Sequence, residues 1–143
     1  MLSIGSIFSF LLVYYRGRED QGMPKAPASV FEIERFLGQV RKEIARGRCI
    51  LVDRQKNIAD IARLGLNWKY EICALTYQDY DKGPEPDHSG EGDVWVFVPE
   101  IEGTLVYIKL KLDPRCGVKC ISFHKSNGPI TLPYRNVWKE GTP

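Results

Sequence analysis

Histidine and cysteine are scarce in this sequence, which has two histidines and four cysteines, and this scarcity restricts the metal chemistry available to it. His88 and His124 lie far apart in the chain. Cys116 and Cys120 form a C-x3-C pair, but no second His or Cys pair follows at the spacing of a zinc site. We therefore expect no bound metal and no cofactor, and four reduced cysteines that fill apolar space.

The short motifs that mark the commonest catalytic and nucleotide-binding sites are also missing. GxxxxGK[ST], GxGxxG, GxSxG and HExxH do not occur. Their absence argues against a P-loop, a dinucleotide-binding turn, a nucleophile elbow and a zinc-protease helix. Any active site must therefore be assembled from side chains that are distant in the sequence.

An excess of one charge is missing as well. The chain has 20 basic and 18 acidic side chains and a formal net charge of +2, so its composition does not indicate nucleic-acid binding. With 43% hydrophobic and 27% charged residues, its 143 residues are typical of one globular domain. An anion-binding site must come from a local arrangement of basic residues.

No apolar run reaches the roughly 20 residues that a membrane-spanning helix needs. Residues 1–15 are apolar, but they lack the basic start and the cleavage site of a signal peptide. Three interpretations stay open: translation begins at Met23, the segment is an N-terminal packing helix, or it is a weak membrane anchor. Residues 16–28 are typical of a linker. We expect residues 1–28 to lie outside the core, and the protein to be cytoplasmic unless residues 1–15 anchor it.

The folded domain is expected to begin at Ser29. Ser29 and Glu32 have the spacing of a capping box, which satisfies two backbone N–H groups at the start of a helix. Gly47 ends the pattern. The apolar residues that follow Ser29 at helical spacing are Phe31, Ile33, Phe36, Leu37, Val40 and Ile44.

Shorter elements come next. Residues 49–53 predict a brief strand, residues 58–64 predict a helix that Gly65 ends, and Asn67 is placed to cap a third helix. Residues 77–93 are polar and rich in Gly, Pro and Asp, so we interpret them as a mobile loop whose carboxylates are solvated.

The C-terminal half has the pattern of strands. Short turns between β-rich runs predict an antiparallel meander, and residues 126–143 are predicted to be a tail with a short extended piece. The predicted strands are residues 94–101, 104–112 and 117–124. The sequence thus predicts an α+β domain over residues 29–125, with N-terminal helices packed on an antiparallel sheet of three or more strands.

The second predicted strand carries polar side chains that could act as acids, bases or cations on one face. Tyr107, Lys109 and Lys111 alternate with apolar residues and point away from the helices. His124 ends the neighbouring strand, and Lys82 lies in the predicted loop. These groups, with no carboxylate among them, suit RNA cleavage without a metal, which needs a base, an acid and cations for the phosphate. The alternative is an ordinary solvated face, which often carries lysine.

Six motifs occur in an order and spacing similar to those of a known family: ARLGLNW, an apolar helix containing Cys73, LTYQDYDKG, VWVFVP, GTLVYIKL and VKCISFH. On these motifs, residues 58–125 resemble the MqsR family of bacterial toxins from type II toxin–antitoxin systems. The resemblance implies a RelE-like fold and an mRNA interferase that cleaves short GC-containing sites without a ribosome. It also implies a cognate antitoxin that holds the enzyme inactive.

Residue by residue, the resemblance implies catalytic roles for Lys82, Tyr107, Lys109 and His124. Lys82 matches the family's loop lysine, and Tyr107 and Lys109 match its V-Y-x-K strand. His124 stands where the family has lysine, and imidazole suits proton transfer near neutral pH. Val96 stands where the family has glutamine, and valine cannot hydrogen-bond to a substrate.

We also expect Trp95, Lys111 and Lys125 to contact RNA, although Trp95 has packing in the core as its alternative. The leading hypothesis is a cytoplasmic endoribonuclease toxin with mRNA as substrate and an antitoxin as partner. One alternative is a non-catalytic RNA- or antitoxin-binding module of the same fold, with Val96 marking lost activity. The other is a small membrane-tethered protein, which depends on residues 1–15.

Overall fold

The computed structural model describes residues 26–52 and 54–135, so the interpretations of residues 1–15 and of Met23 lie outside the described residues. Within the described ranges, no helix has the length and apolar character needed to cross a membrane. In chain order, the elements are α1 (Val30–Ala45), β1 (Cys49–Leu51), α2 (Gln55–Leu64), α3 (Trp68–Cys73), a 3₁₀ turn (Tyr77–Asp79), β2 (Tyr80–Pro86), β3 (Asp93–Phe97), β4 (Glu100–Ile101), β5 (Thr104–Asp113) and β6 (Gly117–Lys125).

The first helix begins as the sequence predicts. The Ser29 hydroxyl accepts a hydrogen bond from the Glu32 backbone N–H at 3.1 Å, and the Glu32 carboxylate accepts one from the Ser29 N–H at 3.0 Å. Hydrogen bonding from the Ser29 backbone N–H and from the Ser29 side chain lowers the pKa of the Glu32 carboxyl. Helix α1 ends at Ala45, and Gly47 follows with a φ of 75°. The capping box and the helix are therefore confirmed.

The two shorter helices are confirmed as well. Gly65 ends α2 in the left-handed conformation, with a φ of 65°. The Asn67 side chain accepts a hydrogen bond from the Tyr70 N–H at 3.2 Å and so caps α3. Helix α2 lies beside β6, and α3 contacts α1.

The sheet is larger than the predicted meander. Its strand order is β1-β6-β5-β3-β2, with β4 paired to β5. Strand β1 runs parallel to β6, whereas the other pairs are antiparallel. The predicted strand 94–101 is divided into β3 and β4. The α+β class is confirmed, with α1 packed on one side of a sheet of six strands.

The two sides of the sheet are distinguished by β5. Its buried residues Val106, Ile108 and Leu110 join the main core, and we call the side that carries them the inner face. The side that carries Tyr107, Lys109 and His124 is the outer face. Helix α1 contributes Ile33, Phe36, Leu37 and Val40 to the core on the inner face.

The prediction of a mobile loop over residues 77–93 is wrong. Most of the segment is the 3₁₀ turn and β2, and only residues 87–92 connect β2 to β3. Strand β2 lies at the edge of the sheet, and Tyr80, which is 1% exposed, is its one residue in the main core. An edge strand needs little apolar alternation and accepts proline, so its sequence resembles a loop.

Residues 126–135 pack on the domain, contrary to the prediction of a tail. Leu132 is buried, the Tyr134 hydroxyl donates a hydrogen bond to the Ala28 carbonyl, and Arg135 forms an ion pair with Asp79. Ala28 is itself buried in the main core. The packed domain therefore extends from Ala28 to Arg135.

Candidate functional site

Two of the predicted acid–base groups are in direct contact on the outer face. Tyr107 of β5 pairs in register with His124 of β6, and directly opposed residues of antiparallel strands share a face. The two rings stack with centroids 5.4 Å apart and planes inclined by 15°. Both side chains are half-buried, so each is held in place but remains accessible to a ligand.

The His124 ring has a defined hydrogen bond that orients it. Its Nδ1 lies 2.9 Å from the Lys125 carbonyl oxygen. A carbonyl only accepts hydrogen bonds, so this contact requires the proton on Nδ1. The other ring nitrogen, Nε2, is then the atom that can accept a proton from a ligand.

Burial raises the pKa of Tyr107, and the negative charges of Asp81 and Glu85 raise it further. The phenol therefore keeps its proton at neutral pH and beyond. This effect corrects the expectation of a face without carboxylates, because two carboxylates lie close enough to act on the tyrosine. A protonated phenol can donate a proton but cannot serve as a base near neutral pH.

Asp81 anchors the C-terminal segment and is not a solvated loop residue. The side chain is buried, and its Oδ1 accepts hydrogen bonds from the backbone N–H groups of Thr131 at 2.7 Å and of Leu132 at 3.0 Å. These bonds hold Leu132 against Val96 and Val98 in a second, smaller apolar cluster, against which Tyr107 also packs. Val96, where the resemblance implies glutamine, is thus fully buried in this cluster.

The lysines of the site differ in their surroundings. Lys109 lies two residues from Tyr107 on β5, and the register places Lys82, Val96, Lys109 and Ser122 in one row across β2, β3, β5 and β6. Lys82 is exposed and Lys109 half-buried. Within residues 26–52 and 54–135, neither ammonium group forms an ion pair or a hydrogen bond. Both are therefore available cations.

Lys111 and Lys125 are placed less favourably for RNA. Lys111 is 7% exposed, and its Nζ lies 2.7 Å from the Asp87 carboxylate. That bond, with hydrogen bonds from Ser89, holds the pKa of the Asp87 carboxyl well below its usual range. Lys125 is exposed at the end of β6. The Lys111 charge is thus already neutralised, whereas the Lys125 charge faces solvent.

Trp95 packs on α1. Its ring stacks on Phe36 with centroids 4.4 Å apart and planes inclined by 11°, and it packs against the main core. This placement agrees with the core-packing alternative for Trp95. On the outer face, the stacked aromatic side chains are Tyr107 and His124.

A bulge in β6 positions His124. Lys109 pairs with Ser122 but Leu110 pairs with Cys120, so β6 has one extra residue, Ile121. Cys120 therefore faces the core while Ser122 lies opposite Lys109, whereas strict alternation predicts one face for both. Nothing in the local sequence signals this shift.

Sequence inspection also missed Asn57, a fully buried residue of α2. Its Nδ2 donates to the carbonyls of Val52 at 3.2 Å and Ile121 at 3.1 Å, and its Oδ1 accepts from the Phe123 N–H at 3.0 Å. Asn57 thus satisfies backbone groups of β6 beyond the point where its pairing with β1 ends. The available signal was an asparagine on the side of α2 that faces β6.

The cysteines are free thiols. Cys49 and Cys120 are buried, and burial raises the pKa of the Cys49 thiol to about 11. Among the residues that the structure describes, no three His, Cys, Asp or Glu side chains are grouped to hold a metal ion. The buried thiols of Cys49 and Cys120 remain protonated and pack as apolar groups.

Comparisons with family models, with curated proteins and with solved structures found no match to this chain. The function of the outer face must therefore be inferred from the chemistry of its own side chains. It combines a histidine with one nitrogen ready to accept a proton, a tyrosine that retains its proton, and two available lysines.

Proposed function

We propose that this protein is a metal-independent endoribonuclease that cleaves mRNA, as the toxin of a type II toxin–antitoxin system. The observation that carries the proposal is the stacked pair Tyr107 and His124, with Lys109 on the same face. RNA supplies its own nucleophile, the 2′-hydroxyl, so the enzyme needs only a base, an acid and cations. The outer face offers all three.

The reaction assigns one proton transfer to each ring. Nε2 of His124 accepts the proton of the 2′-hydroxyl while the 2′ oxygen attacks phosphorus. The bond from phosphorus to the 5′ oxygen breaks, and the Tyr107 hydroxyl gives its proton to that oxygen. The products are a 2′,3′-cyclic phosphate and a free 5′-hydroxyl. Exchange with water returns each group to its starting state.

The raised pKa of Tyr107 supports its role as the acid. A leaving alkoxide is a far stronger base than a phenolate, so proton transfer from Tyr107 remains favourable. Asp81 and Glu85 disfavour the phenolate that is formed, which favours rapid reprotonation. Lys109 and Lys82 stabilise the negative charge that accumulates on the phosphate oxygens.

The RelE-like architecture and the antitoxin partner belong to the same proposal. They are supported by the ordered motifs of residues 58–125 and by α1 packed on a largely antiparallel sheet. Val96 cannot replace a glutamine as a hydrogen-bonding group, because its side chain has neither a donor nor an acceptor, and it is buried beside Leu132. Orientation of the substrate therefore falls to Lys82, Lys109 and the stacked rings.

The decisive experiment combines cells and purified protein. Induction without an antitoxin should arrest growth and fragment mRNA. The purified protein should cleave a synthetic RNA to 2′,3′-cyclic phosphate ends, and EDTA should leave the rate unchanged. A substrate with a 2′-deoxynucleotide at the cleavage site should resist cleavage, because it lacks the nucleophile.

The second candidate is a non-catalytic binding module of the same fold. The observation that favours it is the burial of Val96 at a position that the resemblance assigns to a polar residue. An intact RNA substrate and normal growth, combined with retained RNA or antitoxin binding, would establish this alternative and reject catalysis.

A further inference from the structure

A cleft of about 400 Å³ opens beside Lys109, and the proposed reaction does not use it. Its walls come from Arg54, which precedes α2, and from the end of β2 with the following turn, which contribute Glu85 and His88. Val94 and Ile121 form part of its lining. The volume lies in the range of sites that hold small organic ligands.

The charge of the cleft suits one phosphodiester group. Asp87 also lines it, but its carboxylate is neutralised by Lys111 at 2.7 Å. Arg54 and Lys109 then face Glu85 as the other charged groups, which leaves an excess of one positive charge. In the described part of the chain, the side chains of Arg54 and Lys109 form neither an ion pair nor a hydrogen bond, so both remain available for an anion.

The rest of the lining suits a base and a sugar. Pro86, Val94 and Ile121 offer apolar surface to a ring, and the His88 imidazole is a group on which a base can stack. The Glu85 carboxylate can accept hydrogen bonds from an exocyclic amine or a ribose hydroxyl. Cations for the phosphate thus occur together with a polar and an apolar surface for the nucleoside.

Lys109 connects this cleft to the reacting groups. Its side chain lines the cleft, and its Cα is two residues along β5 from Tyr107, a distance of about 7 Å at the rise of an extended strand. An RNA strand bound across the stacked rings therefore reaches the cleft within about one nucleotide.

We propose that the cleft binds the nucleotide next to the cleaved phosphodiester, with Arg54 and Lys109 on its phosphate and His88 against its base. This inference rests on the proposed function for its place in the substrate. Binding itself can be measured without cleavage, because a nucleoside monophosphate contains the same groups.

The test titrates the full-length chain with each of the four ribonucleoside 5′-monophosphates and with inorganic phosphate, followed by NMR or calorimetry. Mononucleotides should bind and should perturb Arg54 and His88. Arg54→Ala should weaken binding about 10-fold, since it removes a charge-assisted hydrogen bond, and Arg54→Lys should restore part of it. The matched control is Arg46→Ala, an exposed arginine at the end of α1, on the helical side of the sheet.

A non-cleavable single-stranded oligonucleotide extends the test. Loss of one phosphate contact should reduce the slope of log affinity against log salt by about 0.7 for Arg54→Ala, and Arg46→Ala should leave it unchanged. Equal effects of the two variants would overturn the inference. So would binding of inorganic phosphate as tight as that of mononucleotides, or no mononucleotide binding at millimolar concentration.

The outcomes separate this inference from the proposed function. Mononucleotide binding that depends on Arg54, in a protein that leaves RNA intact, rejects the nuclease proposal and retains the cleft as a nucleotide site. Cleavage of RNA at the same rate and affinity by the wild type and by Arg54→Ala retains the nuclease and rejects the cleft.

Discussion

Tyr107 and His124 are neighbours with opposite tendencies toward a proton. The Lys125 carbonyl fixes one proton on His124 Nδ1 and leaves Nε2 as the acceptor, whereas burial and the nearby carboxylates keep Tyr107 protonated. A base and an acid held in contact can act on the two oxygens of one phosphodiester. The stacked pair therefore indicates acid–base chemistry, whereas a set of exposed lysines does not.

Removal of the Tyr107 hydroxyl should separate chemistry from packing. Tyr107→Phe keeps the ring that stacks on His124, so the melting temperature should change little, while cleavage should fall about 10²–10⁴-fold because proton donation is lost. Single-turnover cleavage and a thermal melt measure the two effects. Tyr70→Phe is the matched control, since Tyr70 is an exposed tyrosine on α3. Comparable losses in both variants would reject the role of Tyr107.

The dependence of kcat/KM on pH should show an alkaline limb that reports the protonation of Tyr107. The acid must be protonated, so the rate should fall only at alkaline pH, above the ordinary tyrosine value of 10.0, because the Tyr107 pKa is raised. A decline that begins near neutral pH would contradict the assignment of Tyr107 as the acid.

At the scale of elements, α2 hydrogen-bonds to the edge of β6 beyond its pairing with β1. Strand β1 pairs with β6 only from Val118 to Cys120, and beyond that point α2 satisfies the backbone of β6 with side chains. Asn57 bonds to Ile121 and Phe123, and Asp60 accepts a hydrogen bond from the Lys125 N–H at 2.7 Å. The position of His124 therefore depends on hydrogen bonds from the side chains of α2 to the backbone of β6.

Asn57→Ala should be strongly destabilising. It leaves the Ile121 carbonyl and the Phe123 N–H buried without partners, at a cost of about 1–3 kcal/mol for each group. Urea denaturation should show the loss, and hydrogen exchange should accelerate in residues 121–125. Asn67→Ala, which removes an exposed helix cap, serves as the control and should cost about 1 kcal/mol. Similar losses in the two variants would show that Asn57 has no special role.

The turn after β2 is tied to β5 by one ion pair. The Lys111 and Asp87 side chains are both largely covered, so Asp87→Ala leaves an ammonium group without its partner and should destabilise the fold. Lys111→Met should cost less, because methionine fills the same space without a charge. Because the folded pKa of Asp87 is lowered, the pair stabilises the fold above the ordinary carboxyl value of 3.8, and that contribution is lost as pH falls below it. Chemical denaturation of both variants at neutral and acidic pH checks these expectations.

At the scale of the whole molecule, the two ends of the described chain meet. Tyr134 bonds to Ala28, and Arg135 pairs with Asp79, while Leu132 covers Val96 and Val98. The C-terminal segment thus belongs to the packing of the outer face, beside Tyr107. A protein that ends at Gly128 should melt at a markedly lower temperature and bind a hydrophobic dye, since this deletion uncovers both valines. An unchanged melting temperature would show that the segment is dispensable.

Local signals made the helices and β5 predictable. The capping box at Ser29, the glycine at residue 65 and the alternation around Tyr107 act over a few residues and are visible in one chain. The missed features depend on distant partners. Asp81 bonds to residues about fifty positions later, β2 pairs with β3, and Asn57 bonds to the backbone of β6. Part of the candidate site could be predicted from the sequence, because Tyr107 and Lys109 are two residues apart on one strand and so lie on the same face. Arg54 could not be predicted, because it is distant in the sequence from the other residues that line the cleft.

The extra residue in β6 makes chain length a determinant of the site. Ile121 reverses the alternation, so that Cys120 and Phe123 both enter the core while His124 meets Tyr107. Deleting one residue between Cys120 and His124 would remove the bulge and leave a regular strand in which His124 still lies opposite Tyr107. The matching stretch of β5, between Tyr107 and Leu110, has no spare residue, so a deletion there would exchange the faces of the residues on one side of it. A deep mutational scan that includes single-codon deletions should therefore show that this stretch of β5 tolerates deletion far less than the matching stretch of β6.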